Sequence, residues 1–148
     1  MSLMKLKGIF VFLILVAGCS TSEPARYAAK GKVSIDGKPA SLVMVNFLPV
    51  DPNSTNRGSG PADANGEFTI GEDGKNTGLP AGDYKVTFSQ TLINGKPTLA
   101  GSGGKVEEKV KTEVEAVADD YRDATKTPVT AKIGNGKNEF TFEIRSKK

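Results

Sequence analysis

From Ala29 onward, apolar and polar residues alternate along most of the chain. Val33 and Ile35 alternate with Lys32 and Ser34, and Val43, Val45 and Phe47 repeat the pattern. Phe68 and Ile70 follow, then Tyr84, Val86 and Phe88, then Val129, Ala131 and Ile133, and last Phe140, Phe142 and Ile144. A period of two sends successive side chains to opposite faces of an extended backbone. Each run therefore predicts a strand with one buried face and one wet face. In the last run the polar partners are Glu139, Thr141, Glu143 and Arg145. Alternation this clean suits an antiparallel sheet better than a parallel sheet covered on both faces.

The breaks between runs carry turn chemistry. Asp36-Gly37 joins the first two runs and suits a tight hairpin with positive φ. Asn65-Gly66, Pro80-Ala81-Gly82, Asn94-Gly95 and Gly134-Asn135-Gly136 punctuate the rest. Six or seven short strands separated in this way predict a β-sandwich. Two segments depart from the pattern. Residues 49–64 form a long polar connection, with a short edge strand expected near Arg57–Gly60. Residues 105–121 change period: Val106, Val110, Val114, Val117 and Tyr121 fall four, four, three and four apart, which is one face of a helix. Asp119-Asp120 would oppose the helix dipole at a C-terminal end, so the helix is expected to stop near Ala118. The expectation is a helical insertion near residues 105–118.

The N-terminus has a different pattern. Residues 1–8 carry Lys5 and Lys7 and no acid, and residues 9–17, IFVFLILVA, are continuously apolar. Nine helical residues reach about 14 Å, roughly half of the ~30 Å hydrocarbon core of a bilayer. A basic start, a short apolar run and small residues after it read as a secretory signal. The one cysteine of the chain, Cys19, stands directly after it and has no partner for an internal disulfide. Val16-Ala17-Gly18-Cys19 resembles the lipobox of bacterial lipoproteins. That resemblance implies a diacylglyceryl group on the Cys19 thiol, cleavage just before it and acylation of the new amino terminus. The alternative is a reduced cysteine in a signal cut elsewhere. Ser20 stands where an Asp would favour the inner membrane, so the resemblance points to the outer one. Residues 20–28, STSEPARYA, are polar and span at most about 30 Å as a tether. The expected plan is a signal over 1–18, a lipidated tether over 19–28 and a domain over 29–148.

"GKVSIDGKPA" followed by "VMVNFLP" resembles the first strands of transthyretin-like domains, also called carboxypeptidase regulatory-like or prealbumin-like. "DANGEFTI" and "GLPAGDYKVTF" resemble the next elements. "DDYRDATKTPVTAKIGNGKNEFTFEI" is similar to the closing segment of small secreted bacterial lipoproteins with this domain. The resemblance covers 29–145 and implies an all-β, seven-stranded Greek-key sandwich.

Charge and composition narrow the chemistry. The formal charge is +3; removing Lys5 and Lys7 with the signal takes Lys plus Arg from 20 to 18 against 17 acids, a net charge of +1. A near-neutral domain gives no case for binding nucleic acid. The chain has no His, so it has no imidazole base, no Ser-His-Asp triad and no His metal ligand. Transthyretin relatives that hydrolyse a purine-degradation intermediate rely on His, and that site cannot be carried over at any position. With Cys19 assigned to lipid, no free thiol nucleophile remains.

Carboxylates are the remaining candidates. Asp63, Asn65 and Glu67 alternate around a turn and offer oxygen ligands to calcium. An Asx-type turn leading into a strand accounts for the same residues. They lack the midway glycine and terminal glutamate of an EF-hand loop. A carboxylate hydrolase needs two acids at a defined separation, and no such pair stands out. The acids between Glu107 and Asp123 alternate with lysines and read as a solvated face. Gly101-Ser102-Gly103-Gly104 lacks the Lys-Ser/Thr ending of a phosphate loop. Tyr27, Tyr84 and Tyr121 suit sugar stacking only where exposed. The expected function is a lipid-anchored envelope protein that needs no cofactor. Its β-sandwich would be structural, adhesive or a binder of a protein or glycan partner, with 49–64 and 92–104 as candidate loops. The alternatives are a calcium-dependent binding module and a carboxylate-based envelope hydrolase.

Overall fold

The computed structural model describes residues 22–99 and 112–148. The chain opens with β1 (Arg26–Tyr27) and β2 (Ala29–Ile35), turns back through β3 (Lys38–Pro39), and continues as β4 (Met44–Pro49), β5 (Gly58–Pro61) and β6 (Glu67–Ile70). Next come β7 (Leu79–Pro80), β8 (Gly82–Ser89), β9 (Thr91–Ile93), β10 (Lys96–Thr98) and β11 (Glu113–Glu115). One turn of helix, α1 (Asp119–Arg122), precedes β12 (Thr130–Ile133) and β13 (Glu139–Ile144).

Seven of these strands build a Greek-key sandwich, as the alternation and the resemblance imply. One sheet has the order β12-β8-β4-β5 and is antiparallel throughout. The other has β2 at its centre, with β13 on one side and β6 on the other. The short β3 continues the β6 side at the far end of β2. The chain changes sheet between β3 and β4, between β5 and β6, between β6 and β8, and between β12 and β13. The turn at Gly134-Asn135-Gly136 therefore joins two sheets and is not a hairpin. Asp36 and Gly37 have φ of 51° and 78° and close the β2–β3 hairpin, the geometry that this dipeptide favours. The edge strand expected near Arg57–Gly60 is β5.

The inward faces interdigitate. Val33, Phe68, Phe142 and Ile144 come from one sheet, and Val45, Phe47, Tyr84, Val86, Phe88 and Ile133 from the other; all are buried. Phe47, with 0% exposure, is the centre. Its ring centroid lies 5.8–6.3 Å from those of Phe140, Phe68, Tyr84 and Phe142. Such tilted and edge-on pairings suit the aromatic quadrupole. Gly31 leaves room for this cluster, because a methyl group on its Cα would stand 2.8 Å from Phe68 Cε1 and closer still to the Phe140 carbonyl.

Two expectations are corrected. The last strand, β13, pairs parallel with β2 over its whole length, although its alternation suggested an antiparallel neighbour. Alternation reports which face is buried and carries no information about strand direction. The helical insertion near 105–118 is also not what forms where the chain is described. Residues 105–111 lie outside the described residues, but Glu113–Glu115 is strand β11, paired antiparallel with β9. Val117 bridges Ser146. The supposed apolar face divides, with Val114 45% exposed and Val117 fully buried. Glu115 explains the extended path. Its Oε1 accepts hydrogen bonds from the backbone N–H of Gln90 at 2.8 Å and of Val117 at 3.0 Å. The only helical turn among the described residues begins one residue after Ala118, where a helix was expected to end.

Candidate functional site

The sandwich has two ends, and the strand registers define them. β2 starts at Ala29 opposite Ile70, β8 starts at Gly82 opposite Ile133, and β13 starts at Glu139 opposite Lys30. The entry of the chain, the 50–57 loop, the 71–78 loop and the 134–138 turn therefore share one end. β9, β10 and β11, together with α1 and the last residues, share the other. The candidate loop 49–64 is therefore divided by β5: residues 50–57 lie at the entry end, whereas 62–64 emerge beside Ser89 at the end that bears the described part of the candidate loop 92–104; residues 100–104 lie outside the described residues.

At the entry end, β1 is stapled in place. Asn76 Oδ1 accepts the Arg26 N–H at 2.8 Å. The Arg26 guanidinium donates to the Gly78 carbonyl at 3.1 Å and to Asn56 Oδ1 at 3.2 Å. Asn138 is nearly buried and locks the 134–138 turn: its Oδ1 accepts the Gly134 N–H, and its amide donates to the carbonyls of Ala28, Gly134 and Gly136. Between these loops lies a cleft of about 550 Å³ bordered by Tyr27, Lys30, Asp73, Asn76, Asn135 and Lys137. Its charges largely cancel, since Lys30 pairs with Asp73 and Lys75 with Glu72. No single sequence run marks this cleft, because three distant segments build it.

Cys19 lies outside the described residues. Asp63, Asn65 and Glu67 are described, and their geometry is that of a turn. Asp63 Oδ1 accepts the N–H of Asn65 at 2.8 Å and of Glu67 at 2.9 Å. The Glu67 carboxylate is 2.8 Å from Lys32 Nζ, and that hydrogen bond raises the Lys32 value. These groups serve the β5–β6 connection, and among the described residues no three metal-ligating side chains converge. Tyr84 is buried with its hydroxyl on the Pro80 carbonyl at 2.8 Å; burial pushes its value up, and it offers no stacking surface. Tyr121 is buried under the Arg145 guanidinium, 5.6 Å from its ring centroid. Tyr27 is half-buried in β1, which is part of the fold and not of a loose tether.

The far end is tied by exposed polar pairs. Asp36 receives hydrogen bonds from the hydroxyl and the backbone N–H of Ser146, and these hold its carboxyl below the usual range. Lys147 and Arg122 do the same for Asp119. Glu115, the least exposed of these acids, lies 3.6 Å from Arg122 Nε and is committed to backbone bonds. Sequence reading placed it on a solvated face.

No family model matches the chain, and no curated protein matches it. Among solved structures, the chain is similar to the major pilin subunit of Bacillus cereus, at 14% identity and a TM-score of 0.45. The match covers 84% of this chain and 31% of the pilin, so the chain spans less than a third of that protein's length.

Proposed function

We propose that the chain is a lipid-anchored protein of the cell envelope whose β-sandwich does structural, adhesive or partner-binding work without catalysing a reaction. The observation that carries this reading is the N-terminal order: Lys5 and Lys7, the apolar run 9–17, then Val16-Ala17-Gly18-Cys19. One acyl chain anchors a protein only marginally, at about 0.8 kcal/mol per buried CH₂; the three chains implied by the lipobox resemblance anchor it firmly. Ser20 supports sorting to the outer membrane. The polar residues after Cys19 reach a strand that Arg26 fixes to one end of the sandwich. That end then faces the membrane, and the end bearing β9, β10 and β11 faces away.

The test is the intact mass of the protein extracted from membranes in detergent. A mass of residues 19–148 plus a diacylglyceryl and an acyl group is expected. A mass of the unlipidated chain overturns the anchor and returns Cys19 to the list of reactive thiols.

A further inference from the structure

The β13 edge of the sandwich is only half paired. In a parallel ladder, alternate residues turn both backbone groups to the neighbouring strand, and the residues between them turn theirs outward. Lys30 N–H bonds the Asn138 carbonyl, and Asp36 N–H bonds the Ile144 carbonyl. Residues 138, 140, 142 and 144 therefore face β2, and Glu139, Thr141, Glu143, Arg145 and Lys147 face outward. The upper part of this outward row is taken. Ala118 N–H bonds the Arg145 carbonyl, and Lys147 N–H bonds the Ala116 carbonyl, with Val117 opposite Ser146 in antiparallel sense. The chain has thus already added an extended segment to this edge. That segment then turns into α1, and the outward groups of Glu139, Thr141 and Glu143 have no backbone partner among the described residues.

The side chains beside this open stretch have a definite character. Glu139, Thr141 and Glu143 are exposed on the wet face. Neither glutamate has an ion-pair partner among the described residues. On the other face, Phe140 is only half-buried. A second copy of the chain is a poor occupant. Antiparallel pairing about Thr141 sets Glu139 opposite the other copy's Glu143, and like charges directly opposite are destabilising. Charged side chains are a common protection of an edge against its own kind. The same charges favour a strand with cations opposite them.

We propose that the open stretch of β13 accepts an extended peptide segment of a partner protein as an added strand, with basic residues at alternate positions opposite Glu139 and Glu143 and apolar residues between them toward Phe140. Backbone hydrogen bonds to Thr141 and its neighbours supply affinity, and the alternate side chains supply selectivity. This deepens the partner-binding reading but does not depend on the lipid anchor.

The probe is a blocked seven-residue peptide alternating lysine and valine, titrated into the full chain in detergent. Saturable binding with half-saturation at or below about 1 mM is expected, with slowed hydrogen exchange at the amides of Glu139, Thr141 and Glu143. Thr141→Pro removes an outward donor and no bond to β2, and should weaken binding at least about tenfold. The surface double variant Glu139→Lys, Glu143→Lys should do the same and should bind the glutamate–valine counterpart instead. Equal binding of both peptides by the native chain, no binding, or binding that survives both variants overturns the proposal. A native dimer abolished by Thr141→Pro also overturns it, because the edge would then serve self-pairing. None of these results bears on the mass of the anchored protein.

Discussion

Phe47→Ala is the sharpest test of the core. Phe47 is fully buried, and four aromatic rings from both sheets lie within 6.3 Å of its centroid. A buried Phe→Ala change costs about 3–5 kcal/mol, depending on how far the surroundings collapse into the space. Collapse is hindered here. Phe68 and Phe142 stack on each other at 5.8 Å from the two strands that flank β2 in the opposite sheet, and their ladders with β2 hold both backbones. A loss of about 4 kcal/mol is therefore expected, a large part of the about 5–15 kcal/mol that a domain has. With an unfolding entropy near 2.1 cal/mol/K per residue, a domain of about 120 residues loses about 16 °C in Tm. Phe47→Leu keeps most of the volume and should cost no more than about 1.5 kcal/mol. Guanidinium unfolding followed by circular dichroism measures both variants. A Phe47→Ala loss below about 1.5 kcal/mol at unchanged slope would refute the placement of this ring at the centre of the core.

Four other outcomes are expected. Gly31→Ala forces a methyl group against the Phe140 carbonyl and the Phe68 ring, and should cost about 1–3 kcal/mol by overpacking; an unchanged unfolding midpoint would contradict that contact. Asp63→Ala removes the acceptor for two backbone N–H groups and should cost about 1 kcal/mol, as lost caps do. Millimolar calcium should leave the native melting midpoint where it is, and a rise would assign calcium to the native turn. Asp36 has its carboxyl lowered by Ser146, so the folded state takes up that proton less readily than the unfolded one. Its contribution is present above about pH 4 and is lost as pH falls through the lowered folded value. Melts from pH 7 to pH 2 should therefore fall less steeply at the acid end in Asp36→Asn, and identical slopes would remove Asp36 from the account.

The face of each strand was legible, while its neighbours were not. Val45, Phe47, Phe68, Val86, Phe88, Phe142 and Ile144 all lie where period two puts them, because a half-buried strand leaves that mark in sequence. Pairing direction leaves no such mark, so the parallel β2–β13 ladder was hidden. The 113–117 segment misled because Val114, Val117 and Tyr121 fall at helical spacing by coincidence. Its extended path comes from a carboxylate, Glu115, that binds the distant backbone N–H of Gln90 together with the nearby one of Val117. The turn role of Asp63 was legible because it acts on residues two and four positions ahead. The entry-end cleft was not, because β1, the 71–78 loop and the 134–138 turn meet only in the fold.

The parallel ladder between the first and last long strands has a mechanical consequence. β2 begins at the entry end and β13 finishes at the far end, so the start of the one and the finish of the other lie at opposite ends of about 20 Å of paired backbone. A pull between the residues before β1 and those after β13 first peels the two-residue β1–β7 ladder. It then slides β2 along β13, loading the rungs of that ladder together and not one after another. A domain tethered at one end and gripped near its last residues thus resists tension with one of its two longest registered pairings.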